Sequence, residues 1–213
     1  MIVINRNIEK RYAELLTNSH PSCPVIYFKI KTHKLDPEKL KEEDPTIMKV
    51  RPVISSCDGP TDCVSWLLTK IIAPVLEHVP SHLKNTGELL NALRNLNVDD
   101  KFKFESFDIE SLYTNIDQKL ATEWLVKMVY DNNIKLYGLK INDINYLINV
   151  ILKSSFFKFN GVLYKQKRGL AMGNRIAPLL AIAYMNKIEA GSTDRDIILY
   201  KRYIDDILII GRN

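Results

Sequence analysis

Two adjacent aspartates, Asp205 and Asp206, interrupt the most strand-like segment of the chain, RYIDDILII. Ile197, Ile198, Leu199 and Tyr200 lie before them, followed by the cations Lys201 and Arg202; Ile207, Leu208, Ile209 and Ile210 lie after. Neighbouring carboxylates repel, and the repulsion is relieved when cations bind beside them. A third aspartate, Asp108, closes another strand-like segment, KFKFESFDIE. If the two segments are neighbours in a sheet, three carboxylates converge on one rim. Hard oxygen donors, few in number and open to solvent, suit Mg²⁺ better than a caged Ca²⁺. Two such ions about 3.5–4 Å apart serve in-line phosphoryl transfer. The competing reading of Asp205-Asp206 is a polar hairpin turn with no chemistry.

The elements that must position these groups are legible from periodicity. In KFKFESFDIE, Phe102 and Phe104 alternate with Lys101, Lys103 and Glu105, as in a half-buried strand ending near Asp108. The polar stretch LDPEKLKEEDPT reads as the loop of a hairpin between PVIYFKIK and IMKVRPVIS. After the turn CDGPTD, Val64, Leu67, Leu68, Ile71, Ile72, Val75 and Leu76 predict a helix kinked by Pro74. Asn85 and Thr86 cap a second helix through Leu96. Another begins near Asp117 and is expected to bury Leu120, Ala121, Trp124, Leu125, Met128 and Val129. A further helix spans Ile141 to Leu152, and FFKFNGVLYKQ predicts a hairpin turning at Asn160-Gly161. A glycine-punctuated loop then enters a helix that tolerates Pro178 in its first turn. Strands and helices mixed without strict alternation indicate an α+β fold.

Bulk properties constrain the setting. At 213 residues, 46% hydrophobic and 26% charged, the chain reads as globular, with a substantial core. Net charge is +5 and the pI is near 9. The surplus is local: Lys153, Lys158, Lys165, Lys167, Arg168 and Arg175 fall in a stretch with no acidic residue, and Lys29, Lys31 and Lys34 cluster earlier. Such runs are either solvated faces or tracks for phosphates. Cys23, Cys57 and Cys63 form no CxxC motif, which fits a reducing compartment. Pro80 separates His78 from His82 and argues against zinc. No apolar stretch approaches a membrane span and the N-terminus lacks a leader-like core, so a soluble, intracellular chain with no membrane partner is expected.

Five blocks in order resemble the reverse transcriptases, most closely those of Penelope-like retroelements, which are distant relatives of telomerase. They are YFKIKTHK, MKVRPVISSCDGPT, FDIESLYTNI, QKRGLAMGNRIAPLLAIAYM and RYIDDILII, and they span nearly nine-tenths of the chain from Pro24 onward. The resemblance implies a right-hand polymerase: fingers and palm, an antiparallel sheet with helices packed on one face. Residues 1–23 would be an N-terminal extension and 24–213 a truncated domain, with fingers mainly in 24–105 and palm mainly in 106–213. The chain stops at Asn213, where the family continues into a thumb.

Residue by residue, the resemblance makes Asp108 and Asp205 metal ligands, with the Ile109 carbonyl and Asp206 in support. The cofactor implied is a pair of Mg²⁺ ions, with Mn²⁺ as a substitute. Lys31 and Arg51 would grip the incoming triphosphate, and Tyr113 would stack under its sugar and exclude a 2′-hydroxyl. Gln166 would help position the nucleotide. Gly169 and Gly173 would admit the template-primer, Lys167 and Arg168 would follow its phosphates, and Tyr203 would touch the primer end. Partners would be an RNA template, a DNA primer and dNTPs, in the nucleus. Tyr113 argues against an RNA-copying RNA polymerase. A chain lacking a thumb could instead be an inactive retroelement remnant that at most binds nucleic acid. Many relatives read Gly-Ser-Pro-x-Ser-Pro where this chain has Gly173-Asn174-Arg175-Ile176-Ala177-Pro178.

Overall fold

In a computed structural model, which describes residues 16–32, 50–97, 101–191 and 196–212, the local signals resolve into two sheets and a helical core. Asn160 and Gly161 both adopt positive φ (48° and 80°), the twist that a two-residue hairpin turn requires. They join β4 (Phe156–Phe159) to β5 (Val162–Lys165). β1 (Val25–Ile30) pairs antiparallel with β2 (Val50–Ser55), as expected, while the loop between them lies outside the described residues. A parallel contact, Val25 with Lys158, joins the two hairpins into one sheet of order β2-β1-β4-β5. The second sheet, β3 (Phe102–Asp108), β7 (Asp206–Arg212) and β6 (Ile197–Tyr203), is antiparallel and places β7 in the centre.

Helices fill the space around these sheets. α1 (Asp62–Ile72) passes into a 3₁₀ segment, Ala73–His78, because Pro74 cannot continue the α-helical ladder. α2 (Thr86–Arg94) is capped by the Asn85 side chain, which accepts from Glu88 N at 3.1 Å. A single turn, α3 (Leu112–Asn115), precedes α4 (Gln118–Asp131), where Asp117 accepts from Leu120 N at 2.8 Å. α5 (Ile141–Lys153) and α6 (Ala177–Glu189) complete the set. α6 is apolar almost all round, and its alanines let α4 pack closely. The core is built from Leu68, Ile72, Leu125, Ile144, Ile148 and Leu180, all fully buried. Leu120, expected inside, is 41% exposed, one position off the Ala121–Leu125–Met128 stripe. Among the described residues no helix is long and apolar enough to cross a membrane.

The outer edge of β6 is covered by the segment after the 3₁₀ turn. Arg202 N donates to Ser81 O at 2.7 Å, and Leu83 N donates to Arg202 O at 2.9 Å. This brace half-buries His82, whose Nδ1 is enclosed without a hydrogen-bond partner. Burial, followed by the charge of Arg202, depresses its pKa below 6.5; Lys84 adds to the depression and Glu88 opposes it. A depressed group contributes stability above its unfolded value, and that contribution is lost as pH falls through the folded value. The melting temperature should therefore fall as pH drops below 6.5, and His82→Asn should flatten that dependence. An identical pH profile in the variant would exclude His82 as the cause.

Candidate active site

The register between β3 and β7 ends with Asp108 directly opposite Asp206. Opposed residues in an antiparallel ladder share a face, so these two carboxylates start from the same side of the sheet. Asp205 joins them through the β6–β7 hairpin, where Tyr203 pairs with Asp206 and the turn consists of Ile204 and Asp205 alone. Ile109 N donates to Asp205 O at 3.0 Å, stitching the end of β3 to the turn. Ile204 has a φ of +58°, a left-handed conformation that costs a β-branched residue strain.

Beyond Asp108 the chain reverses sharply. Ser111 is also left-handed, with φ +56°, and this sends Tyr113 back beside the carboxylates. Burial and then the Asp205 charge push the Tyr113 hydroxyl pKa up, so it stays protonated and able to donate a hydrogen bond. Asp108, Ile109, Glu110, Ser111, Tyr113, Met172, Asp205 and Asp206 line one cleft of about 580 Å³. Lys31 and Arg51 also line it. Arg51 is held opposite Lys29 in the β1–β2 ladder. The cleft therefore gathers carboxylates, two basic side chains and a protonated phenol in one lining.

This arrangement accompanies a match in sequence: residues 39–213 fit the family model described as "Reverse transcriptase (RNA-dependent DNA polymerase)". The chain belongs to the reverse transcriptase family. No curated protein matches it in sequence. Among solved structures, it is similar to an apo telomerase from Candida tropicalis truncated from its C-terminal domain. That match has 14% identity and a TM-score of 0.61, covering 96% of this chain and 47% of the telomerase. It is also similar to a telomerase from Candida albicans in complex with a TWJ fragment of telomeric RNA. That match has 12% identity and a TM-score of 0.59, covering 96% of this chain and 41% of the telomerase. At such identities the likeness is one of fold. The chain spans less than half the length of these telomerases.

The other candidates are not among the lining residues of this cleft. Gln166 is half-buried; its Nε2 donates to Arg168 O at 3.1 Å, and its Oε1 is enclosed without a partner. Lys167 and Arg168 are exposed on the loop after β5, and Tyr203 is half-exposed next to the turn. Gly169 and Gly173 serve close approaches of protein backbone. A Cβ on Gly169 would lie 2.6 Å from Tyr113 O, and one on Gly173 would lie 1.9 Å from Ile54 O. Asn174 and Arg175 are also tied into the protein. Asn174 Oδ1 accepts from Ile176 N at 3.1 Å, and Arg175 holds Asp62 of α1 at 2.7 and 3.2 Å. Glu110 and Met172 enter the cleft without having been singled out from sequence. Glu110 directly follows Asp108-Ile109, and Met172 directly precedes Gly173.

The donors fit a magnesium-type ion in kind: two or three carboxylates and a backbone carbonyl, all hard oxygens on an open rim. They do not form a closed cage. Among the described residues no group of three His, Cys, Asp or Glu side chains is already arranged to hold a metal. Mg²⁺ characteristically takes one or two protein carboxylates and completes its shell with water and substrate phosphate.

Proposed function

We propose that the chain forms the fingers and palm of an RNA-directed DNA polymerase from a retroelement, most like the Penelope-like class. On this reading it adds deoxynucleotides to a primer 3′-hydroxyl along an RNA template. The observation that carries the proposal is the single cleft that unites Asp108, Asp205 and Asp206 with Lys31, Arg51 and Tyr113.

The roles follow from the chemistry of each group. Lys31 neutralises triphosphate oxygens as a point charge, and Arg51 does so with a planar fork. Their positive charge offsets the negative charge that develops on the phosphates during transfer. Asp108 and Asp205, supported by Asp206 and the Ile109 carbonyl, would hold divalent cations at the reacting end. Two Mg²⁺ ions, or Mn²⁺ in their place, would supply charge neutralisation and a more acidic nucleophilic hydroxyl. Tyr113 supplies a rigid aromatic surface under the sugar, where a 2′-hydroxyl would collide. Gln166, Lys167, Arg168 and Tyr203 form the neighbouring path for template and primer, with the cations making sequence-independent phosphate contacts. Gly169 and Gly173 seat the loop that carries the first three against protein backbone.

Primer extension on an RNA template, with dNTPs and rNTPs in competition, tests the proposal. The chain should incorporate dNTPs. Tyr113→Ala should raise the relative use of rNTPs by roughly 10–10²-fold, the about 1–3 kcal/mol of one lost discriminating contact. A preference for rNTPs in the unaltered chain would favour an RNA polymerase. Nucleic-acid binding that is unaffected by Asp205→Asn, with no metal-dependent extension, would favour a non-enzymatic remnant.

A further inference from the structure

The aspartate turn is held from behind by a buried polar network that the roles above leave unused. Arg202 is fully buried, and Glu189, the last residue of α6, is 11% exposed. Arg202 Nε pairs with Glu189 Oε1, and Nη2 donates to Glu189 Oε2 at 3.3 Å and to Ile182 O at 3.4 Å. Two further donors converge on the same carboxylate: Ser81 Oγ at 2.6 Å and the Tyr200 hydroxyl at 3.0 Å. The remaining arm of the guanidinium, Nη1, donates to Ile204 O at 3.0 Å.

That last bond is the informative one. Ile204 is the left-handed residue of the two-residue turn, and a strained conformation persists only where its surroundings over-determine it. Of the turn's two carbonyls, Ile204 O is taken by Arg202 and Asp205 O by Ile109 N. Arg202 cannot swing away, because Glu189 and Ile182 hold the rest of its planar head. We propose that Arg202, locked by Glu189, is a positioning residue. It presets the left-handed Ile204 turn and so fixes where the Asp205 carboxylate stands before any ligand arrives. The consequence for catalysis rests on the polymerase reading; the positioning itself does not.

A purely structural ion pair would make the same contacts, so the test must separate folding from turn geometry. Arg202→Met alone would strand the Glu189 carboxylate in the interior, which is strongly destabilising. The informative variant is therefore Arg202→Met with Glu189→Gln, which leaves no unpaired charge and keeps hydrogen-bonding partners for Ser81 and Tyr200. Arg202→Lys is the second variant. It keeps the positive charge beside Glu189 but replaces the planar fork, whose separate nitrogens serve Glu189 and the Ile204 carbonyl, with a single ammonium.

The readouts on the full chain are ¹⁵N relaxation order parameters at Ile204 and Asp205, and Mn²⁺ affinity by electron paramagnetic resonance. In folded variants the order parameters should fall from about 0.85 to below about 0.6. Mn²⁺ affinity should drop roughly 10-fold or more, in the range expected for a residue that orients a ligand. If Ile204 and Asp205 remain as rigid as in the unaltered chain in either folded variant, the proposal is overturned. Failure of the unaltered chain to extend a primer counts against the polymerase reading alone. The order parameters decide the positioning role either way.

Discussion

Asp205→Asn is expected to lower primer extension roughly 10³-fold, about 4 kcal/mol of transition-state stabilisation, while the protein melts within about 3 °C of the unaltered chain. The two effects separate because Asp205 is held by its backbone. Its carbonyl accepts from Ile109 N, the preceding carbonyl accepts from Arg202, and no side-chain hydrogen bond of Asp205 is found among the described residues. Asparagine has nearly the same shape, so the turn keeps its bonds and loses only the charge that faces the cleft. Asp108, Asp206 and the Ile109 carbonyl would remain as oxygen donors, one anion fewer, and Mn²⁺ affinity should fall with activity. Single-turnover extension, calorimetry and Mn²⁺ titration read the three quantities independently. Extension at the unaltered rate would remove Asp205 from the reaction. A collapse in melting temperature would instead make the residue structural.

What the sequence made legible, and what it did not, follows from the range of the forces involved. Asn160-Gly161 announces its hairpin because a two-residue turn needs two positive φ angles, a requirement within the turn itself. Asp117 and Asn85 mark helix starts because capping is equally local. The convergence of Asp108 with Asp205 and Asp206 is visible as an expectation because one strand-like pattern ends at a carboxylate and the other is broken by two. The β3–β7 register and the β6–β7 turn realise it.

Long-range pairing carries no such local mark. Nothing around Val25 announces a parallel contact with Lys158, so the division into two sheets emerges from the fold rather than from periodicity. The bonds of Arg202 to Glu189 and of Arg175 to Asp62 are likewise silent. A cation among polar neighbours looks the same in sequence whether it ends in solvent or at zero exposure. Gly169 and Gly173 show the limit most plainly. Their type announces that something approaches closely, but only the structure shows that protein backbone does.

Gly173→Ala should accordingly be the most damaging single methyl in the chain. The added carbon would lie 1.9 Å from Ile54 O, 2.8 Å from Ile54 C and 3.1 Å from Ser55 Cα, all backbone atoms of β2. A side chain could rotate away from such a contact; a strand paired along its length with β1 can move only as a unit. Either the Ser55–Gly173 bridge opens or β2 shifts. The expected cost is about 3 kcal/mol, at the upper end of overpacking penalties. Gly161→Ala provides the comparison, since that glycine has a φ of +80° but nothing within 4 Å of an added Cβ. It should cost only about 1 kcal/mol, the conformational preference alone. Denaturant midpoints with unchanged slopes would measure both. The larger effect should also reach the cleft. β2 carries Arg51, three residues before Ile54, so a displaced strand moves a cation of the lining that it shares with the carboxylates. Gly173→Ala should therefore weaken dNTP binding even where the protein stays folded, whereas Gly161→Ala should not. Equal destabilisation by the two alanines would mean that β2 yields freely and that the strap from Gly169 to Arg175 does not hold the cleft together.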